Sequence, residues 1–539
     1  MIRTSIIRSS VPVLAVLMSS AIAGVAAAGT CDLGSIKKIA PADAVIDSVT
    51  AQPGPVAHCE VLGHTITQNP GPNQVNWSVL LPDTGFNGRY YFVGEGGGAG
   101  FVPTAASLGE SGNAGYVMST LKLLSEGFVV AGTDTGHKGS LWDFGANNPT
   151  LRLDYGHRGA HVSAVATQAI TRAYYSMKDK LYRYHLGCSG GGRMGMMAAY
   201  HHPEDYDGIV ASTVAKGGGS LEFAVIAQYI AKHPEAWISP QKLAFMERKV
   251  NEKCAGPDGL VRDPYGCGFD VNALQCKGAD TAECLTAAEI SSVKLVTGRF
   301  HLGTTEDAQV PGFSISNPTG WATFLMGMTR PTAAGGENPW APAAPPASFI
   351  VAQSLARGFY FDDLKYDVIK DLDLTSKEVL ARLDERHPVW SVTTPDLSGY
   401  KKAGGKLIMW AGLSENAVPP ATEIEYFAAI KKAVPGAQDF VQLYLAPGVL
   451  HCLGGPGPQD VEDRLLETVI AWVEEGKRPG PVVTSASSPH YAPPAGGAGQ
   501  ALTAPPPSRT VLLCPAPQTA VFTARKGALA FDAANWKCQ

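Results

Sequence analysis

Beyond its first 28 residues the chain has no apolar run long enough to cross a bilayer, which excludes a chain built of membrane spans. It has no C-x-x-C pair and no clustered set of histidines and cysteines, so nothing in it argues for zinc. Basic residues are not in excess. Lys and Arg number 43 against 48 Asp and Glu, for a formal charge of −5, leaving no basic patch for nucleic acid and no polybasic segment for anionic lipid. A nucleic-acid partner and stable membrane association are set aside on that ground. No internal repeat is found, which sets aside repeat architectures, and the sequence is silent on oligomeric state.

What is present begins with an export signal. Arg3 and Arg8 precede an apolar stretch from Val11 to Val25, and Ala26, Ala27 and Ala28 supply a small-residue cleavage pattern before Gly29. The mature chain is expected to start there, in a secreted or periplasmic protein. All ten cysteines lie after the cleavage site, an even number that favours disulfides over metal ligation in an exported chain. Neighbour pairing closes short loops at Cys254–Cys267 and Cys276–Cys284 and ties the tail through Cys514–Cys538. Cys188 and Cys452 remain as a distant pair, and Cys31 and Cys59 complete the ten.

Apolar runs alternate with stretches of helical spacing. Val75, Trp77, Val79 and Leu81 alternate as a strand does, Tyr90 to Val93 continues the pattern, and it breaks at a glycine run from Gly94 to Gly100. Gly127 to Thr133 reads as the next buried strand. Arg158 to Lys180 reads as a crossover helix feeding the strand Leu181–Leu186, and Ile209–Ser212 as another strand. This order marks an α/β fold with a parallel, helix-flanked sheet. The pattern is lost between about Gly217 and Asp396 and resumes at Gly405. The chain therefore divides into a signal peptide (1–28), the first part of the core (29–216), an inserted lid (217–397) and the second part of the core with its disulfide-tied tail (398–539). Within the last part, 479–507 is rich in Pro, Ala, Gly and Ser and reads as an extended surface connection.

The chemistry centres on Gly187-Cys188-Ser189-Gly190-Gly191, a G-x-S-x-G string between an apolar run and a helix-favouring stretch. A strand, a sharp turn and a helix in that order hold a serine hydroxyl proud of a sheet, and the flanking glycines are needed because the backbones crowd. Ser189 is the expected nucleophile. An unassisted serine is a weak one, so it needs a base, and the base needs an acid to orient it. In the chain order Ser, acid, His, Glu415 follows the strand ending near Gly412, and His451 follows the strand Phe440–Leu445. Asp439, Glu423 and Asp396 are alternative acids. Uncovered N–H groups of the glycine run suit an oxyanion hole, with Gly97 the first choice and Gly96 or Gly98 beside it, completed by Gly190 after the nucleophile. A Cys188–Cys452 bridge clamps the nucleophile loop to the base loop. His137, His157 and His161 read as structural hydrogen-bonding groups. Trp321, Phe324, Phe359 and Tyr360 read as core residues of the insertion.

These residues resemble the tannase and feruloyl esterase family of α/β-hydrolases, which has Cys-Ser at the nucleophile, an acid before Pro-Pro and His-Cys at the base, with a disulfide joining the two cysteines. Here these stand as Cys188-Ser189, Glu415 before Pro419-Pro420, and His451-Cys452. The likeness extends through Asn87-Gly-Arg89, Thr133–His137, Pro203–Gly208, Gly404–Ile408, Trp472–Lys477 and Leu513-Cys-Pro515. It implies an α/β-hydrolase core whose large inserted lid supplies the acyl pocket. Its substrates would be esters of aromatic acids such as gallate or ferulate, and the family also acts on a hydroxyethyl monoester of terephthalate. The chain departs from the family twice. The family's usual Asp at the acid position is Glu415 here. The family's lid also carries an acidic calcium loop between cysteines, which the resemblance would place at Asp258, Leu260 and Asp263. That segment is shortened here, and Arg262 adds opposite charge where calcium wants six to eight oxygens.

The expectation is an exported serine hydrolase that cleaves small aromatic carboxylic esters through an acyl-enzyme and needs no cofactor for its chemistry. A terephthalate monoesterase, an amidase or lactonase with the same triad, and a binding module on an inactive hydrolase fold are the alternatives.

Overall fold

The computed structural model describes residues 28–104, 120–213, 220–305, 308–332, 338–392, 394–485, 509–525 and 527–539. The expected export signal, Ala28 apart, lies outside them, as does most of the 479–507 connection. The start of that connection is not merely extended, since Val482–Ser485 pairs with Thr510–Leu513.

Among the described residues nine strands form the main sheet: β1 (Ala44–Gln52), β2 (His58–Thr67), β3 (Asn73–Pro82), β4 (Arg89–Val93), β5 (Val129–Thr133), β6 (Tyr182–Cys188), β7 (Gly208–Ser212), β8 (Lys406–Gly412) and β9 (Val441–Ala446). Their spatial order is β1-β2-β3-β5-β4-β6-β7-β8-β9. The first three make an antiparallel meander, β3 pairs antiparallel with β5, and all later pairings are parallel. The parallel strands are covered on both faces, so β5 and β7 are buried at every position and read as continuous apolar runs. The amphipathic edge strand β1 buries only Ile46.

Two apolar clusters lie against the sheet. One packs Trp77, Phe92, Met196, Met409 and Leu443 on one face, and the other packs Tyr91, Leu186, Val210, Trp410 and Tyr444 on the other. The alternation of neighbours such as Met409 and Trp410 between the clusters follows from the pleat. Helices α1 (Gly159–Tyr174) and α2 (Gly190–His201) connect β5 to β6 and β6 to β7. The expected crossover helix is shorter than its sequence pattern, and a π-turn over Asp154–Arg158 leads into it.

Strands β7 and β8 are neighbours, with Gly208 opposite Lys406 and Ser212 opposite Trp410, although almost two hundred residues separate them in the chain. Between Thr213 and Gly405 the described residues give the sheet no strand. They build a third apolar cluster around Trp321, Trp340, Phe359 and Tyr360, each at most 1% exposed, so three of the four aromatics read as core are core. Because β6, β8 and β9 run parallel, their carboxyl ends and the loops leaving them meet at one edge of the sheet.

All ten cysteines are paired, as Cys31–Cys59, Cys188–Cys452, Cys254–Cys267, Cys276–Cys284 and Cys514–Cys538.

Candidate active site

Ser189 sits between β6 and α2 at φ 58° and ψ −122°, a backbone conformation that a non-glycine residue holds only where its surroundings over-determine it. The crowding expected at the elbow is there. A Cβ on Gly187 would lie 2.6 Å from the Gly191 carbonyl carbon, and one on Gly191 would lie 2.4 Å from that of Gly94. The Ser189 N–H is shared between the Ser212 carbonyl and Thr213 Oγ1, both at 3.0 Å. These contacts lock the turn to the end of β7.

Of the acids considered, Glu415 is the one that meets His451. Its Oε1 lies 2.9 Å from His451 Nδ1 and accepts the N–H groups of Ala417 at 2.7 Å and Val418 at 3.3 Å. Glu415 is fully buried, and among the described residues Oε2 has no hydrogen-bond partner. Three donors on one oxygen fix the carboxylate in place. The extra methylene relative to the family's aspartate does not keep it from the imidazole. Asp439 precedes β9 at the opposite, amino end of that strand, Asp396 is exposed and caps Ser398, and Glu423 belongs to the helix Ala421–Ala433. Asn416 was not singled out by sequence, yet its Oδ1 accepts the His451 N–H at 3.3 Å while its Nδ2 donates to the Gly320 carbonyl. The Cys188–Cys452 bridge, with Cα atoms 5.8 Å apart, joins the residue before Ser189 to the residue after His451.

Ser189, His451, Gly97 and Gly190 line one cavity of about 190 Å³, whose walls include Trp142, Tyr155, Phe223, Phe324 and Trp390. Phe324 therefore faces the cavity, unlike the other aromatics expected with it in the core. Its ring centroid lies 6.0 Å from that of His451. A Cβ on Gly190 would meet the Gly97 carbonyl at 2.5 Å and the Gly97 nitrogen at 3.1 Å, so the two backbones are in contact. The Gly190 N–H opens α2 and has no intrahelical acceptor.

Sequence reasoning missed Tyr155 and Arg193. The Tyr155 hydroxyl donates to the Gly97 carbonyl at 3.1 Å. Arg193, 2% exposed and one helical turn past Ser189, donates to the carbonyls of Tyr155, Gly156 and Trp390 and lies 4.1 Å over the Tyr155 ring. It binds the π-turn to the insertion beneath the cavity. The one signal for it was a charged residue in an otherwise small and apolar helix. His137 is a structural group, stacked on Phe144 and within 3.2 Å of Thr135 Oγ1, with burial pushing its pKa down to about 4.

The loop considered for calcium does not fit that ion. Asp258 Oδ2 lies 2.6 Å from Arg262 Nη2, and Oδ1 accepts the Leu260 N–H. The Leu260 carbonyl accepts from Gly256, and Asp263 Oδ1 accepts from Gly266. The Arg262 guanidinium, 4.0 Å over the Trp536 ring, occupies the charge-balancing role a cation would have. Asp258, Leu260 and Asp263 thus stand in an internally paired loop. Millimolar calcium is expected to leave the melting temperature unchanged. Arg262→Ala, which strands the buried Asp258, should cost about 3 kcal/mol in chemical denaturation. A calcium-dependent rise in the wild-type melting temperature would contradict this pairing.

Residues 59–539 match the family described as tannase and feruloyl esterase. The chain is 29% identical to a mono(2-hydroxyethyl) terephthalate hydrolase of Piscinibacter sakaiensis, over 92% of this chain and 86% of that one. It is also 29% identical to a probable feruloyl esterase of Arthroderma benhamiae, over 74% and 73%. Its fold is that of the α/β-hydrolases. It superposes on feruloyl esterase B from Aspergillus oryzae with a TM-score of 0.76 at 20% identity, covering 94% of this chain and 99% of that one. For tannin acyl hydrolase from Aspergillus niger the TM-score is 0.67 at 18% identity, covering 95% and 96%. On the match across 59–539, the chain belongs to the tannase and feruloyl esterase family and is a carboxylic ester hydrolase.

Proposed function

We propose that the protein is a secreted serine esterase that cleaves esters of single-ring aromatic acids through an acyl-enzyme, with Ser189, His451 and Glu415 as its triad. The observation that carries this reading is the cavity shared by Ser189 and His451. A space of about 190 Å³ walled by five aromatic side chains is close to the roughly 150 Å³ cavity known to take up benzene. It is smaller than the roughly 300 Å³ at which sites for drug-sized ligands begin. One aromatic ring fits, and the alcohol portion must leave through the mouth.

In this mechanism Ser189 Oγ attacks the ester carbonyl while His451 Nε2 takes its proton. Glu415 holds the Nδ1–H and stabilises the imidazolium. The negative charge that develops on the carbonyl oxygen meets the N–H groups of Gly190 and Gly97. Collapse expels the alcohol, which receives the proton from His451. A water then attacks the acyl-enzyme by the same proton transfers and releases the acid. The insertion 217–397 serves as a lid, since Phe223, Phe324, Val351 and Trp390 come from it and close the cavity from outside the sheet. Secretion is supported by the N-terminal signal pattern and by five disulfides, which persist in oxidising compartments. No described helix is long and apolar enough to cross a membrane.

A turnover panel of gallate, ferulate, 4-hydroxybenzoate and terephthalate monoesters, run beside one matching amide and an aliphatic ester, tests the reading. At least one aromatic ester should exceed both the aliphatic ester and the amide by a hundredfold or more in kcat/KM, and a fluorophosphonate should label Ser189. Labelling without an aromatic preference would refute the substrate class. No labelling and no turnover would refute the esterase mechanism.

A further inference from the structure

Away from the catalytic triad, four histidines converge where the π-turn Asp154–Arg158 and the start of α1 meet the end of α2. His161 and His202 stack with centroids 3.8 Å apart, and His157 stacks on His201 at 4.0 Å. His157 Nδ1 lies 2.9 Å from His202 Nε2, linking the two stacks. Into the same cluster projects Asp205, 7% exposed, whose two carboxylate oxygens lie 3.0 and 2.9 Å from His161 Nδ1. One ligand atom each from His161, His202 and Asp205 falls within 4.8 Å of the other two. Donors in a tetrahedral site, each about 2.0–2.1 Å from its metal, stand roughly 3.3 Å apart. The set therefore lies within reach of a coordination shell, which forms once one ring turns and the donors draw in by up to about 1.5 Å.

We propose that His161, His202 and Asp205 form a binding site for a divalent transition-metal ion of the zinc class, with His157 orienting His202. The donor chemistry selects the ion, since two imidazoles and one carboxylate suit zinc, nickel or copper and offer too few oxygens for calcium or magnesium. The three donors line a cavity of about 530 Å³ on the surface, which gives an ion an entry path and leaves room for water to complete its shell. The scaffold is rigid: His161 is on α1, and the Asp205 carbonyl accepts from Gln168 one face along the same helix. Arg183, which also lines this cavity, hydrogen-bonds Asp207 and acts on Asp205 through its field rather than through a contact. Indirect support of a ligand by a hydrogen-bonded neighbour is the usual arrangement around a metal, and His157 stands in that relation to His202. The site does not depend on the esterase reading.

The test uses the full-length mature protein without an affinity tag, stripped with chelator and dialysed, and reads binding rather than turnover. Zinc is titrated calorimetrically, and cobalt is added as a spectroscopic probe of tetrahedral coordination. One zinc per chain and a visible cobalt absorption are expected. His161→Ala, His202→Ala and the near-isosteric Asp205→Asn should each weaken zinc binding at least tenfold. His157→Ala should weaken it about tenfold. His233→Ala, an exposed histidine elsewhere, should leave binding unchanged. Circular dichroism confirms that each variant is folded, and Asp205→Asn serves if a histidine variant is not. Binding that is absent in the wild type, or equal in wild type and Asp205→Asn, overturns the site.

Discussion

Replacing Ser189 with alanine should lower kcat by about six orders of magnitude, and His451→Ala should do the same, because each removes the same covalent step. The double variant should be no worse than either single one, since residues that act as a unit are not additive. Glu415 separates two contributions. Its Oε1 receives three donors, the Ala417 and Val418 N–H groups as well as the imidazole. In Glu415→Gln the amide oxygen would occupy that position and keep the Nδ1–H tautomer, losing only charge. In Glu415→Ala both charge and orientation are lost, and a fall of about 10⁴ is expected. The glutamine variant should therefore retain more activity than the alanine variant. Rates on the best aromatic ester, measured with fluorophosphonate active-site counting, decide the matter. A Glu415→Ala enzyme within tenfold of wild type would remove this residue from the triad.

The parts of the site legible in the sequence are those whose neighbours along the chain carry the constraint. Ser189 is fenced by glycines because the elbow has no room for a Cβ, and that crowding is written into five consecutive residues. His451 and Cys452 repeat the pairing of Ser189 with Cys188, so a covalent link announces the approach of two loops far apart in the chain. The parallel order of β6 to β9 follows from alternating periodicities, which also places the three loops at one edge. The cavity walls were not legible, because Trp142, Tyr155, Phe223, Phe324 and Trp390 come from separate segments. An apolar ring facing a cavity carries the same signature as one in a core. Trp321 and Phe324 are three positions apart, yet the first is fully buried and the second lines the cavity. Arg193 was hidden for another reason. Its partners are backbone carbonyls, which leave no mark in a sequence. The π-turn before α1 was equally hidden, because its residues continue the helical pattern while the backbone bonding shifts by one.

Removing the bridge at the site should cost more activity than its stability loss accounts for. Cys188 and Cys452 are 264 positions apart, so Cys188→Ala with Cys452→Ala frees a very long loop in the unfolded chain. The chain-entropy relation puts that at about 5.5 kcal/mol. The same relation gives about 3 kcal/mol for removing Cys514 and Cys538, 24 positions apart in the tail. If stability were the whole effect, both variants assayed well below their melting temperatures would turn over substrate alike. The bridges differ in what they hold. Cys188–Cys452 fixes the strained Ser189 elbow against the loop of His451, whereas Cys514–Cys538 joins the ends of a small C-terminal unit around Trp536. A displacement of about 1 Å between nucleophile and base costs on the order of a hundredfold. The site variant should therefore lose at least that factor in kcat, while the tail variant keeps wild-type kcat despite a lower denaturation midpoint. Equal kcat in the two variants would mean that the sheet edge alone positions the triad and that the site disulfide contributes only to stability.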